Sequence, residues 1–423
     1  MDTIFALSSG RPPAAIAVVR ISGPAAFSAV RALAGTLPLP RRAALRTLRE
    51  PTGEILDRAL VILFPGAKSA TGEDLAELHL HGGRAVVDAV LATLGAMLEL
   101  REAVAGEFTR RALMNGRVDL AQAQGLADLL LAETQGARRA ALAASEGAVG
   151  RQVRAWLARL SHIAALVEAA LDHADEDDVE EGTTGRATKE AGELEKEFAS
   201  ALARPSVERL RDGALVVIAG PTNAGKSSLF NALIEREAAI VTPIAGTTRD
   251  VLETVVVRKG APFRLVDTAG LARATKDPVE EIGVQKADRM IASADVVLWL
   301  GDPNEAPERS IVVHSRCDLE TRQDVPEGAH PVSVRYPDTV DALWNRLEAE
   351  APQAGWHDVY LHDAHRKALA AARDELHAFA WARDAVLAAE HLRVAHRLLA
   401  GLLGVDATEA MLDALFSQFC IGK

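Results

Sequence analysis

Hydrophobic positions follow three rhythms along the 423-residue chain. Up to about residue 117, short apolar runs alternate with turns. Residues 14–21 and 58–64 read as strands, the second closed by Pro65 and Gly66. Residues 75–81 alternate apolar and polar and stop at Gly82 and Gly83, again a strand. Residues 84–100 carry Val86, Val87, Val90, Leu91, Leu94, Met97 and Leu98 at helical spacing. This part predicts an α+β domain. From Asp119 to about Leu210 the pattern is almost wholly helical, with Leu120, Ala123, Leu126, Ala127 and Leu130 as one stripe and Val153, Leu157, Leu160, Ile163, Leu166 and Val167 as another. The acidic run 172–181 reads as a solvated loop or helix start, and Gly182 and Gly185 as a break. A further helix is expected over 188–202, ended by Pro205.

The third rhythm begins near Arg209. Strand-like runs at 214–219, 254–258, 263–267, 295–300 and 311–314 are separated by loops and helical runs to about Glu350, the pattern of a mostly parallel, doubly wound sheet. The helical pattern then returns over 363–403 and 406–419. The α/β part therefore reads as an insertion in one helical domain, with expected boundaries 1–117, 118–208, 209–350 and 351–423.

Composition changes this picture little. Hydrophobic content of 49% supports substantial cores, and 25% charged with 4% aromatic residues suits a helix-rich soluble protein. The formal charge of −12 does not announce a nucleic-acid binder, but residues 1–120 carry 14 Lys and Arg against 12 Asp and Glu. Any RNA contact must therefore use a local basic patch. Two cysteines, Cys317 and Cys420, suggest neither a disulfide framework nor a zinc site, so a reducing cytoplasm is expected. The N-terminus lacks the pattern of a secretory signal, and no run of about 18 apolar residues predicts a membrane span.

Candidate chemistry concentrates in the α/β part. After the strand 214–219 comes Gly220-Pro221-Thr222-Asn223-Ala224-Gly225-Lys226-Ser227-Ser228, which opens a helical run. Strand, G-x-x-x-x-G-K-S loop and helix form the pattern of a phosphate-binding loop, the alternative being an accidental glycine loop. The backbone N–H groups and helix dipole would cradle a polyphosphate, Lys226 would reach the β- and γ-phosphates, and Ser227 would hold Mg²⁺. Downstream, Gly246-Thr247-Thr248-Arg249-Asp250 offers a hydroxyl to complete the Mg²⁺ shell. Asp267-Thr268-Ala269-Gly270 follows a strand and suits a water-mediated Mg²⁺ contact and a γ-phosphate hydrogen bond. Asp318, in Ser315-Arg316-Cys317-Asp318, is placed to accept from guanine N1 and N2, and Ser333-Val334-Arg335 to cover the base. Four elements in this order predict a GTPase. GTPases usually carry Asn-Lys-x-Asp where Ser315 and Arg316 stand, so the base contact is altered. Two further strings, 69–77 and 106–117, read from spacing alone as a solvated loop and a helix end. His79 and His81 share a strand face without a third metal ligand.

With these strings in place, the chain resembles the tRNA-modifying GTPase MnmE (TrmE) family over essentially its whole length. The resemblance rests on Asp2-Thr3-Ile4, Arg20-Ile21-Ser22-Gly23-Pro24, Thr71-Gly72-Glu73-Asp74, His81-Gly82-Gly83, Gly106-Glu107-Phe108-Thr109 and Asp119-Leu120-Ala121-Gln122-Ala123. The three strings of the α/β part and the terminal Phe419-Cys420-Ile421-Gly422-Lys423 complete it. It implies an N-terminal α+β folate-binding domain that dimerises, a helical domain and an inserted Ras-like G domain. It also implies a cytoplasmic homodimer acting with the FAD-dependent MnmG, as a heterotetramer, on C5 of the wobble uridine of certain tRNAs. Together they install an aminomethyl or carboxymethylaminomethyl group, with 5-formyl- or methylene-tetrahydrofolate as one-carbon donor. By motif position, Arg20, Glu77, Arg117 and Lys423 match the folate contacts; the family usually has lysine where Arg117 stands. Asn223, Thr242, Ile244 and Thr247 match K⁺ ligands, Ser227 and Thr248 the Mg²⁺ ligands, and Glu280 the glutamate that positions the attacking water. Leu271, where many GTPases carry a glutamine, cannot hydrogen-bond. Glu280 otherwise reads as a surface glutamate. Cys420 reads either as an inert buried thiol or as a participant near the folate.

Two rival readings stay open at this point. One is a GTPase switch in ribosome assembly or translation without its own one-carbon site, which would not need Arg20, Glu77, Arg117 or the terminal string. The other is a poor or non-selective NTPase, suggested by Ser315 and Arg316.

Overall fold

The computed structural model describes residues 2–172, 177–235, 252–268, 287–350, 359–382, 384–404, 409–417, 419 and 421–422. The chain divides into two compact units. The first comprises residues 1–127, 143–191 and 378–423, and the second residues 128–142 and 192–377.

The first unit is built on strands β1 (Thr3–Leu7), β2 (Ile16–Ser22), β3 (Ala44–Arg49), β4 (Ile55–Phe64), β5 (Leu75–His81) and β6 (Leu100–Glu102), in the order β3-β4-β5-β2-β1-β6. Only the β1–β6 pair is parallel; β1 lies antiparallel to β2, as do the remaining neighbours. Helices α1 (Ala26–Ala34) and α2 (Arg84–Gly95) cover one face. Their Val30, Leu33, Val87, Val90 and Leu94 join Phe5, Val19, Ile21, Leu48, Val61, Leu63 and Leu78 in one core. The helical pattern expected over 84–100 ends early, at Gly95. Leu98 is fully exposed, and Leu100 turns into β6 beside Thr3. Local periodicity cannot register that change, because the pairing partner lies almost a hundred residues away.

Helices α3 (Glu107–Met114), α4 (Leu120–Leu131), α5 (Gln135–Ser145), α6 (Ala148–Asp172), α7 (Asp177–Ala203) and the short α8 (Val207–Asp212) follow. Contrary to the expected break, α7 runs through Gly182 and Gly185. Two interior glycines cost about 1 kcal/mol each relative to alanine. The buried stripe Ala187, Ala191, Leu194, Phe198 and Ala201 outweighs that cost. The helical stretch expected over 363–403 is two helices, Asp363–Trp381 and Ala385–Gly401. Asp384 caps the second, accepting from the backbone N–H of Val386 (2.8 Å) and Leu387 (3.1 Å).

The second unit holds strands β7 (Ala214–Ala219), β8 (Leu252–Arg258), β9 (Ala261–Asp267), β10 (Val296–Trp299), β11 (Ser310–Ser315) and β12 (His330–Val332) in the order β8-β9-β7-β10-β11-β12. All neighbours are parallel except the β8–β9 hairpin. This is the Ras-like order, with β7 central and buried on both faces. Val216 and Ile218 face α9 (Lys226–Glu235) and the helix Pro337–Glu350, whereas Leu215 and Val217 belong to the opposite core with Val266 and Val297. Trp344, fully buried, meets Phe263 edge to face at 5.2 Å.

Candidate functional sites

In an open parallel sheet, ligands bind beyond the C-terminal ends of the strands. The sequence motifs of the second unit sit there, after β7, β9, β11 and β12. The loop leaving β7 is shaped by backbone no ordinary residue favours. Gly220 takes φ +139°, where an added Cβ would meet the Leu300 backbone at 3.0 Å, and Gly225 takes φ +100°. Asn223 lies at φ +63°, a left-handed geometry that asparagine tolerates better than most residues.

Lys226, the first residue of α9, is buried and donates from Nζ to the carbonyls of Gly220 and Pro221, each at 2.8 Å. Burial pulls its pKa below the ordinary lysine value, and the Asp267 carboxylate opposes that shift. Ser227 Oγ donates to Asp267 Oδ2 at 2.7 Å. Asp267 is fully buried at the end of β9, so a hydroxyl and a carboxylate oxygen converge at the head of a helix. Two hard oxygen donors beside a phosphate cradle fit a Mg²⁺ ion. Thr268 Oγ1 turns away and donates to the Ile218 carbonyl at 2.9 Å, which ties this strand end to β7.

The base-recognition string is also organised. Ser315 Oγ donates to the Ala224 carbonyl at 2.8 Å, and Arg316, at φ +61°, donates to the Asn223 carbonyl at 3.1 Å. The two substituted positions therefore brace the phosphate loop. Asp318 accepts from Ser333 Oγ at 2.7 Å, and the Arg335 guanidinium lies 3.6 Å from its other oxygen. The Ser333 hydroxyl holds the Asp318 carboxyl below the usual carboxylate range. Ser333 Oγ in turn accepts from the Arg335 N–H, while Val334 is exposed. Cys317, between them, is partly buried, and burial raises its thiol pKa. Ser228 follows on the exposed side of α9. The candidate residues Thr242, Ile244, Thr247, Thr248, Ala269, Gly270 and Glu280 lie outside the described residues.

The first unit gathers the second set. Arg20 on β2 and Glu77 on β5 are direct cross-strand partners and pair at 2.8 Å; Arg20 also lies over the Phe108 ring at 5.8 Å. His79 Nε2 is 3.3 Å from the same glutamate, and His81 binds Asp57 at 2.7 Å. Among the described residues no cluster suited to a metal forms. Arg117 donates to the Ser69 carbonyl at 3.2 Å. Of the expected folate residues, Arg20 and Glu77 are in contact and Arg117 anchors the neighbouring loop; Lys423 and Cys420 lie outside the described residues.

The strings 69–77 and 106–117 are not the solvated loop and helix end that spacing suggested. Ser69, Thr71, Glu107 and Arg111 are buried. Arg111 contacts Asp2 (2.8 Å), Glu73 (3.2 Å) and Glu107 (3.1 Å), and Arg101 reaches Glu107 at 2.6 Å. Glu73 accepts from Ser22 at 2.9 Å. Burial would raise the Glu107 pKa, but the two arginines and the Val104 N–H hold it low. The terminal string docks on the same unit: Ile421 bridges Ala105, and the Gly422 carbonyl accepts from Ser8 Oγ at 2.8 Å.

A second, half-buried cluster had no sequence signal beyond isolated charges. In the second unit, His362 lies between Asp128 (2.9 Å) and Glu208 (3.0 Å), with the His365 ring edge-on at 5.6 Å. Burial works against a charged His362, but the two carboxylates win and raise its pKa to about 9. Burial and the neighbouring His362 charge push His365 down to about 4.

The chain matches known proteins over its whole length. Residues 3–117 match the family model described as the GTP-binding protein TrmE N-terminus, and residues 120–420 match the MnmE helical domain. The tRNA modification GTPase MnmE of Erythrobacter litoralis is 49% identical over 427 residues, covering all of both chains. The protein of the same name from Rhizorhabdus wittichii is 51% identical over all of this chain and 97% of its own. That from Sphingopyxis alaskensis is 49% identical over 96% of this chain and all of its own.

Proposed function

The chain belongs to the tRNA modification GTPase MnmE family, and from that premise we propose that it hydrolyses GTP to drive a step in wobble-uridine modification. The observation that carries the GTPase reading is one sheet edge. Lys226, the Ser227–Asp267 pair and the Asp318–Ser333 pair all stand beyond the C-terminal ends of parallel strands. Lys226 donates to two carbonyls of the loop, which hold its ammonium where β- and γ-phosphate oxygens would accept from it. Ser227 and Thr248 would hold Mg²⁺, which would neutralise phosphate charge. Asp267 assists through water. Asp318, kept ionised by Ser333, accepts from guanine N1 and N2.

Charge also develops between the β- and γ-phosphates, where many GTPases use an arginine finger. A K⁺ ion held by Asn223, Thr242, Ile244 and Thr247 fits that role. The amide oxygen of the exposed Asn223 is a suitable hard donor. Glu280 positions the attacking water. GTP and ATP turnover measured in K⁺ and in Na⁺ tests this directly. GTP in K⁺ should be fastest, and equal rates in all four conditions would sink it.

For the modification chemistry we assign 5-formyl- or methylene-tetrahydrofolate to the Arg20–Glu77 pair, Arg117 and Lys423, with Cys420 beside them. A guanidinium and a carboxylate side by side offer donors and acceptors to a pterin ring. The docking of Ile421 and Gly422 supports a tail near this site. The domain division at 117, 208 and 350, the homodimer and the flavin-dependent partner belong to the same proposal. Mass analysis of wobble uridine in tRNA from cells lacking the protein should show the modification lost. Unchanged uridine would leave the ribosome-assembly switch in its place.

A further inference from the structure

A tRNA substrate requires a cationic surface on a chain of net charge −12. Residues 3–49 contain seven arginines and no lysine, aspartate or glutamate. The structure places four of these, Arg41, Arg42, Arg46 and Arg49, on and just before β3, which is the free edge of its sheet. Arg58, on the adjacent β4, stands opposite Thr47. Arg41, Arg42, Arg49 and Arg58 are exposed, and Arg46 is half-buried.

Several other arginines of the unit are neutralised in place. Arg20, Arg101 and Arg111 each pair with a carboxylate. Among the described residues none of the five does. Arg41 donates to the Lys68 carbonyl and lies 5.7 Å over the Phe64 ring. Arg46 donates to the carbonyls of Thr36 (3.1 Å) and Leu45 (2.9 Å), and Arg49 to that of Gly53 (2.9 Å). Backbone carbonyls thus aim Arg41, Arg46 and Arg49 without neutralising them. The nearest acids do not cancel the stripe: Asp57 is engaged by His81, and Glu50 and Glu54 lie at the hairpin that ends it. From Arg41 to Arg49 an extended chain runs about 26 Å, enough to follow several phosphates of one RNA strand.

We propose that the β3 edge, through Arg41, Arg42, Arg46, Arg49 and Arg58, is the surface that grips the phosphate backbone of tRNA. This rests on the tRNA-modification reading above. An acidic protein is the competing occupant, since Leu45 and Leu60 are exposed beside the arginines.

The test is binding of a transcript of a tRNA with an unmodified wobble uridine to the full chain, by fluorescence anisotropy at 50 and 200 mM KCl. The variant Arg42→Glu/Arg49→Glu/Arg58→Glu takes the net charge from −12 to −18. So does the control Arg186→Glu/Arg322→Glu/Arg393→Glu, whose exposed arginines lie elsewhere in the chain. The first should lose about tenfold or more in affinity and about two units of salt slope, the control less than about twofold. Arg42→Lys/Arg49→Lys/Arg58→Lys, which keeps the charges, should stay within about threefold of the parent, which separates loss of charge from misfolding. Equal losses in the reversal variant and the control, or an unchanged reversal variant, overturn the surface. So does a reversal variant that keeps tRNA but no longer co-purifies with the flavin-dependent partner. A parent chain that binds no tRNA overturns both this surface and the tRNA reading, whereas parent-level binding by the reversal variant overturns the surface alone.

Discussion

At the residue scale, the second unit's site depends on few side chains with different physical duties. Lys226 is buried at a helix start, and among the described residues no carboxylate bonds its ammonium, so its charge is available to phosphate. Lys226→Ala should lower GTP turnover by about a hundredfold or more, the scale for removing one positioned electrostatic donor. Asp318 selects the base by accepting hydrogen bonds, so Asp318→Asn exchanges part of that acceptor for a donor. Guanine nucleotide affinity should then fall by more than about tenfold while xanthine nucleotide affinity rises, which competition binding reads out. Arg111 does structural work instead. Removing it takes the guanidinium from Glu73 and leaves Glu107 with Arg101 alone, so Arg111→Ala should cost about 3–5 kcal/mol in a urea unfolding curve. The phosphate-loop residues were legible in sequence because they act within one short loop. The Arg111 network was not, because its partners Glu73 and Asp2 lie 38 and 109 residues away.

At the element scale, the terminal string is held by geometry that only glycine allows. Gly422 takes φ +97°, and an added Cβ would sit 2.3 Å from the Leu7 carbonyl oxygen. Gly422→Ala should therefore release the tail, seen as faster amide exchange at Ile421, and weaken folate binding in a titration with 5-formyltetrahydrofolate. Unchanged folate affinity with a released tail would remove the tail from the folate site. Gly106 is constrained in the same way. Its φ is +69°, and an added Cβ would meet the Phe416 carbonyl oxygen at 2.6 Å, where the start of α3 packs against the terminal helix. Sequence periodicity found most strands and helices, since 2.0 and 3.6 repeats survive burial on one face. It missed β1, β3 and β6, whose existence depends on partners distant in sequence.

At the scale of the whole molecule, opposed histidines set a stability window. His362 titrates near 9 folded against 6.5 unfolded, so its contribution is full below pH 6.5 and fades as pH rises through about 9. His365 titrates near 4 when folded, so stability falls as pH drops from 6.5 towards 4, where the unfolded chain takes up a proton that the folded chain refuses. Glu208 is held near 2 by His362 against the effect of burial, and its contribution falls as pH drops below 4.5. The unfolding midpoint of the full chain should peak near pH 6.5 and decline on both sides, and His362→Gln should flatten the alkaline limb; an unaltered limb would discount the cluster. The sequence by itself determined the phosphate loop, the strand–helix alternation around it, the helical parts and the family likeness, because each is written in residues close together or in a fixed repeat. The tertiary structure alone decided which scattered charges meet. It buried Arg111 among three carboxylates, drew His362 between Asp128 and Glu208, and left the arginines of β3 without acidic partners among the described residues. Electrostatic environment depends on burial and on neighbours in space, and neither is a property of sequence order.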